Sequence, residues 1–272
     1  MGCWIFDKVW DFIGIKEVCL DIIKVVCIFV VAKGYRMEYK GYRDKSDHNG
    51  SVVYLMDCME ALRQTPDNYY SLSIVDPPYG IGVNKMQLGN GKRKIYRGEA
   101  DWDSAIPSEE YFTELFRVSK NQIVWGGNYM TEYLKPTSAW LFWDKGTGEN
   151  DFADGELAWT SYNGALRKIS KSWVGANAKD GLERIHPTQK PIYLYKWILQ
   201  RYAKEGDLIL DTHGGSMSSV IACMELGYNI TCYEIDKDYF KKGKQRIEDF
   251  VSQKNLYIEY PKIDFIDTFS LK

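Results

Sequence analysis

From Ser51 onward, short apolar runs alternate with longer polar stretches whose apolar residues recur at helical spacing. Val52-Val53-Tyr54-Leu55, Leu72 to Val75, Gln122 to Trp125, Leu208 to Leu210 and Asn229 to Tyr233 read as buried strands. Ala139 to Trp143 and Glu156 to Tyr162 add two more, and Leu166 to Trp173 is a candidate for another. Asp57 to Arg63 reads as a short helix. Ser108 is placed to cap a helix carrying Phe112, Leu115 and Phe116, with Glu109 and Glu110 in its first turn. Pro191 opens a helix whose stripe is Ile192, Tyr195, Ile198, Leu199 and Tyr202. Met217 to Leu226 and Asp236 to Val251 are the last two helices, and the tail after Gln253 carries no clear pattern. Strands interleaved with helices predict an α/β fold.

The chemistry gathers where strands stop. The strand ending at Val75 runs into Asp76-Pro77-Pro78-Tyr79. Neither proline continues a sheet ladder, so the chain leaves the sheet in a rigid loop with free carbonyls. An Asp carboxylate and a fixed carbonyl can accept both hydrogens of an exocyclic amine while a Tyr ring stacks on the base bearing it. Late in the chain, Leu208-Ile209-Leu210 leads through Asp211-Thr212-His213-Gly214-Gly215-Ser216 into a helix and then a strand ending at Glu234. That is the β-α-β arrangement in which a carboxylate grips an adenosine ribose and glycines let the backbone approach. The turn is not G-x-G-x-x-G, so a dinucleotide site matches poorly. His186-Pro187-Thr188-Gln189-Lys190-Pro191 lies between the two, and by itself reads as a turn.

Composition narrows the class. A 45% apolar share and nine Trp supply a core for a chain of 272 residues. The net charge of −2 offers no global basic field, so a polyanion must be met by local clusters. One such cluster is in the glycine-rich stretch from Ile81 to Asp103, where Lys85, Lys92, Arg93, Lys94 and Arg97 precede the first acid, Glu99. It reads as either a solvated loop or a set of phosphate contacts. The six cysteines show no C-x-x-C spacing and read as reduced thiols of a cytosolic protein, with neither a metal site nor a disulfide framework. Residues 1–36 differ from the rest. Asp21 and Lys24 interrupt an apolar run too short to span a bilayer, leaving either a peripheral helix or sequence ahead of a working start at Met37.

Three signatures in this order resemble the β-group of amino-methylating DNA methyltransferases, over roughly Val52 to Phe250: Asp-Pro-Pro-Tyr, His-Pro-Thr-Gln-Lys-Pro and the late glycine turn. The resemblance implies a doubly wound, mostly parallel sheet of about seven strands, catalytic half first and cofactor half second, over 51–253, with an extension before it and a tail after it. It implies S-adenosylmethionine as cofactor and DNA as partner, is compatible with a homodimer, and leaves a restriction endonuclease partner open. By the same match Asp76, Pro77, Pro78 and Tyr79 hold the flipped base. Asp57, Asp211, Thr212, Gly215, Ser216 and Glu234 line the cofactor, with Thr188, Gln189 and Lys190 near its methionine end. Lys92, Arg93, Lys94 and Arg97 meet the DNA, and the 81–103 and 164–184 stretches share target recognition. The chain departs from the family where Thr212-His213 replaces Pro-Phe, and where Met217 replaces a second glycine.

An amine conjugated to a base ring is a poor nucleophile. Accepting both of its hydrogens on one side favours a pyramidal nitrogen whose lone pair faces the methyl donor. Asp rather than Ser before Pro-Pro-Tyr is similar to the adenine enzymes, so the expected target is the N6 of adenine, the alternative being the N4 of cytosine. A degenerate relative that only binds is a further reading. A glutamine or small-amine methyltransferase is disfavoured by the motif order, and a dehydrogenase leaves Asp-Pro-Pro-Tyr unexplained.

Overall fold

The computed structural model describes residues 50–82, 103–146, 153–170, 184–253 and 260–269. Within them the chain runs β1 (Ser51–Leu55), α1 (Cys58–Leu62), β2 (Leu72–Val75), α2 (Glu109–Val118), β3 (Gln122–Trp125), β4 (Leu141–Asp144), β5 (Gly155–Thr160) and β6 (Arg167–Ser170). It continues with α3 (Ile192–Tyr202), β7 (Leu208–Asp211), α4 (Ser218–Leu226), β8 (Asn229–Glu234), α5 (Lys237–Gln253) and β9 (Ile263–Asp267). Residues 1–49, including the leader and Met37, and Lys92, Arg93, Lys94 and Arg97 lie outside the described residues, as do 171–183 of the second expected recognition stretch.

The described strands form one sheet in the order β6-β4-β5-β3-β2-β7-β8-β1-β9. All neighbouring pairs are parallel except β3–β5 and β4–β5. Strands with both faces covered read as continuous apolar runs, and β1, β2 and β3 are buried along their whole length. Alternate residues serve opposite faces. Val53, Ile74, Ile123 and Trp125 pack in one layer with residues of α3, α4 and α5. Val52, Tyr54, Val75 and Val124 pack in the other with α1 and α2 residues.

The doubly wound, mostly parallel sheet is therefore present, with nine described strands where seven were expected. The tail needs correction: β9 pairs with β1 from Ser51↔Ile263 to Leu55↔Asp267, so the domain runs past Gln253. Its short run, Ile-Asp-Phe-Ile-Asp, has too few apolar residues to announce a strand, and only the free edge of β1 makes it one. Phe265 packs against Phe240 of α5 with ring centroids 5.8 Å apart.

Sheet order decides where the site lies. The strands move outward from β2 in one direction and from β7 in the other, so the β2–β7 boundary is the switch point at which doubly wound sheets open a crevice beyond their carboxyl ends. Asp76 follows β2 and Asp211 ends β7.

A chain ending at Gln253 loses the β9 ladder and the Phe265 contact. Burying one Phe is worth about 1.5–3 kcal/mol, and each kcal/mol moves the melting temperature of a domain this size by about 2–4 °C. Calorimetric melting of this truncation is therefore expected to fall by about 5 °C or more.

Candidate active site

The loop after β2 is held from both sides. Asp103 accepts the backbone N–H of Tyr79 at 2.8 Å and of Gly80 at 3.0 Å, and its own carbonyl accepts Gly82 N–H at 2.9 Å. The insertion between Gly82 and Asp103 thus leaves and re-enters at the Asp-Pro-Pro-Tyr loop. Gly126, after β3, has φ +66°, and a Cβ there would lie 2.1 Å from the Tyr79 ring. Only glycine permits both the left-handed turn and the passage of that ring. Beyond it the exposed Tyr129 stacks on Tyr79, with centroids 5.1 Å apart and planes 17° from parallel.

The Asp76 carboxylate lies at the centre of a charge cluster. Its Oδ1 accepts Tyr79 O–H at 2.7 Å, and its Oδ2 accepts Lys190 Nζ at 2.6 Å. The same ammonium reaches Glu156 Oε2 at 2.9 Å and Tyr79 Oη at 3.0 Å, while Lys145 holds Glu156 Oε1 at 2.5 Å. Only 2% of the Lys190 side chain is exposed, and the Tyr79 and Trp125 rings lie 5.5 and 5.3 Å from its nitrogen. A buried ammonium survives only when paired, and two carboxylates pair this one. Burial opposes the charge on Glu156, but Lys190 and Lys145 overcome it and hold the carboxyl down at about 2. Burial pushes Asp76 up against the pull of Lys190, with Glu156 adding to the rise. Burial, then Asp76 and Glu156, push the Tyr79 phenol well up, so it remains a donor.

The second half of the site is built on β7 and β8. Gly215, at φ +49°, donates its N–H to Glu234 Oε2 at 2.6 Å, and Asp236 donates to Oε1 at 2.8 Å. Burial pushes Glu234 up to about 7, against those backbone donors. Asp211 is also raised to about 7 by burial. It accepts His213 N–H at 3.0 Å and the Ser219 hydroxyl. The buried Arg246 of α5 donates to the Ser216 carbonyl at 2.6 Å, bracing the turn from below.

Met217 stands where a glycine is usual, and it adopts the glycine-like conformation, φ 59° and ψ 25°. That costs about 1–2 kcal/mol, offset by complete burial of its side chain. A Cβ on Gly214 would lie 2.9 Å from its sulfur, and one on Gly243 would lie 2.5 Å from its Cγ. Two glycines thus make room for Met217 in the core, where its sulfur lies 3.9 Å from Cys232 Sγ.

The remaining expected site residues divide. Asp57 caps α1 by accepting Met59 N–H at 2.9 Å, and it follows β1 beside Glu234, with which Leu55 is in register. Thr212 Oγ1 bonds Tyr111 Oη at 2.7 Å and His213 Nδ1 at 2.9 Å, while Ser216 bonds Ser218 at 3.1 Å. Gln189 spends its side-chain oxygen on Ile185 N–H, and Thr188 bonds His186 Nδ1 at 3.1 Å. The Lys190 ammonium is committed to Asp76 and Glu156 rather than to the methionine end of a cofactor. Sequence reasoning passed over Glu156, Asp103 and Tyr129. An acid in an alternating strand reads as solvent-facing, and no local signal marks Glu156 as a partner of Lys190.

The model of a family described as DNA methylase, the N6/N4 methyltransferases, matches residues 120–245. The chain is a DNA methyltransferase of the N6/N4 family. It is similar to the type II methyltransferase M2.DpnII of Streptococcus pneumoniae, 29% identical over 218 residues, covering 80% of this chain and 73% of that protein. It is also similar to M2.LlaDCHI of Lactococcus lactis subsp. cremoris, 33% identical over 97 residues, covering 36% and 33%. Among solved structures, a DNA modification methylase of Thermus thermophilus, TTHA0409, shares the fold. The TM-score is 0.50 at 16% identity, covering 80% of this chain and 99% of that one.

Methyltransferases of this family take the methyl group from S-adenosylmethionine, and the β7–β8 side of the site fits it. Nothing lies closer than 3.8 Å to a Cβ built on Gly215, so the turn is open there, with an acid at the adjoining strand tip. Glu234 is expected to accept from ribose hydroxyls with the lone pairs its backbone donors leave free. Glu234→Ala is expected to weaken S-adenosylmethionine binding at least tenfold by calorimetry. In the wild type, affinity should rise as pH passes through about 7 and Glu234 loses its proton, and Glu234→Gln should flatten that rise. Equal affinity in wild type and Glu234→Ala would remove Glu234 from the site.

Proposed function

We propose that this methyltransferase acts on the N6 amine of adenine, flipped out of duplex DNA. Asp76 Oδ1 and the Pro77 carbonyl accept the two amine hydrogens, Pro78 stiffens the loop, and Tyr79 stacks on the base. The observation that carries this reading is the Asp76 carboxylate at the switch point, beside the glycine turn that suits the cofactor. Preorganised acceptors leave the nitrogen lone pair free to attack, and the nearby carboxylate stabilises positive charge developing on that nitrogen. Extruding the base costs roughly a few kcal/mol, part of it returned by stacking on Tyr79. Asp57, Thr212, Ser216 and Glu234 line the cofactor in this reading, while Thr188 and Gln189 shape the loop that presents Lys190.

The choice of adenine rests on Asp standing first in the motif, since a carboxylate accepts more strongly than the Ser hydroxyl of cytosine enzymes. Unmethylated DNA incubated with enzyme and S-adenosylmethionine, then digested to nucleosides, is expected to yield N6-methyladenosine by mass. N4-methylcytosine would overturn the adenine assignment, and Asp76→Ala is expected to abolish either product. Modification-sensitive sequencing of the same DNA supplies the recognition site.

The insertion between Gly82 and Asp103 starts and ends beside Tyr79, which suits DNA contact by its basic residues. With Lys92, Arg93 and Lys94 neutralised together, the slope of log binding constant against log salt is expected to fall by up to about 3, at roughly 0.9 per phosphate contact. Cofactor affinity is expected to stay the same, and an unchanged slope would remove the insertion from the DNA interface.

A further inference from the structure

In the arrangement described, neither oxygen of Asp76 is free. Oδ2 holds Lys190 at 2.6 Å and Oδ1 holds the Tyr79 hydroxyl at 2.7 Å. A base amine cannot take Oδ1 in the amine geometry while a phenol hydrogen occupies it. The ammonium is not the group to leave, because it is buried and its departure would strand a charge. The phenol has another acceptor already in reach: Glu156 Oε2 lies 3.4 Å from Tyr79 Oη, long for a full bond and reachable by a small swing of the ring. Lys145 and Lys190 keep Glu156 ionised, and the phenol keeps its proton, so donor and acceptor are both of the right kind.

We infer that Glu156 is a positioning residue that receives the Tyr79 hydroxyl when the target base arrives, freeing Asp76 Oδ1 for the amine. This rests on Asp76 being the amine acceptor. The exchange moves one hydrogen bond from Asp76 to Glu156 and breaks no covalent bond. It ties stacking to chemistry, because the swing that frees the carboxylate also shifts the Tyr79 ring away from Tyr129, the ring now stacked on it. It also gives the buried cluster a use beyond stability, since Glu156 comes from β5, which otherwise has no part in holding the base.

The test is a double-mutant cycle between Glu156→Leu and Tyr79→Phe on the full chain. Single-turnover methyl transfer, KM for DNA and Kd for a duplex of the sequenced site without cofactor are read. Calorimetric S-adenosylmethionine affinity and melting temperature are read alongside. Glu156→Leu is expected to slow transfer and weaken cofactor-free DNA binding at least tenfold where Tyr79 is present. In the Tyr79→Phe enzyme it is expected to cost less than threefold, because no hydroxyl remains to be moved. Glu156→Gln, which keeps an acceptor and the side-chain shape, is expected to recover most of the loss and serves as the folding-safe variant should the Leu protein not fold. Losses that simply multiply across the cycle would overturn the exchange and leave Glu156 acting only through Lys190. A Glu156→Gln enzyme that is folded and inactive would overturn it too. Asp76→Ala separates the levels: retained methylation there would sink the amine-acceptor reading itself, whereas its loss beside a multiplicative cycle would sink only the exchange.

Discussion

The Lys190 ammonium is the charge on which the catalytic half of this methyltransferase depends. Its side chain is 2% exposed, and it is shared between the carboxylates of Asp76 and Glu156, which come from the loop after β2 and from β5. Lys145 completes a cluster of two positive and two negative groups. Each ion taken out of water costs several kcal/mol before pairing, so the cluster holds only if all of its parts arrive together. That requirement joins three distant stretches of chain at one point: the Asp-Pro-Pro-Tyr loop, β5, and the segment that opens α3.

The same cluster shapes what Asp76 can do. With Lys190 on one oxygen, a half-buried carboxylate stays charged in surroundings that would otherwise favour its neutral form. Its second oxygen then becomes the acceptor through which a weakly nucleophilic amine can be oriented. Because the reaction needs no covalent intermediate, rigidity here is the main catalytic resource. Asp103 on the loop backbone and glycine at 126, under the Tyr79 ring, supply it.

On the cofactor side the fold absorbs an unusual residue. A methionine in the left-handed region at the start of α4 would crowd the turn if its side chain faced the crevice. Gly214 and Gly243 instead open a pocket in the core that takes it, and Arg246 holds the Ser216 carbonyl from the same side. The turn keeps its open face at Gly215, although one of its customary glycines is gone.

Much of this was legible in the chain itself. Strand runs that stop at Asp76 and Glu234, followed by prolines or a capping turn, mark acids at strand tips because local backbone chemistry permits little else. Helix stripes, the order of the three signatures and the catalytic-first arrangement also follow from spacing. Tertiary structure alone decided the partners. Glu156 looks like a solvent-facing acid until the antiparallel β3–β5 pairing brings it beside Tyr79. Lys190 lies 114 residues from Asp76, and nothing near it in the chain announces that ion pair. The five residues of β9 carry too weak a pattern to call, and become a strand because β1 leaves an edge for them. Periodicity and turn chemistry act over a few residues and leave a trace in the sequence. Which strands lie side by side, and which charges are buried together, is settled by packing the whole sheet between its two layers of helices.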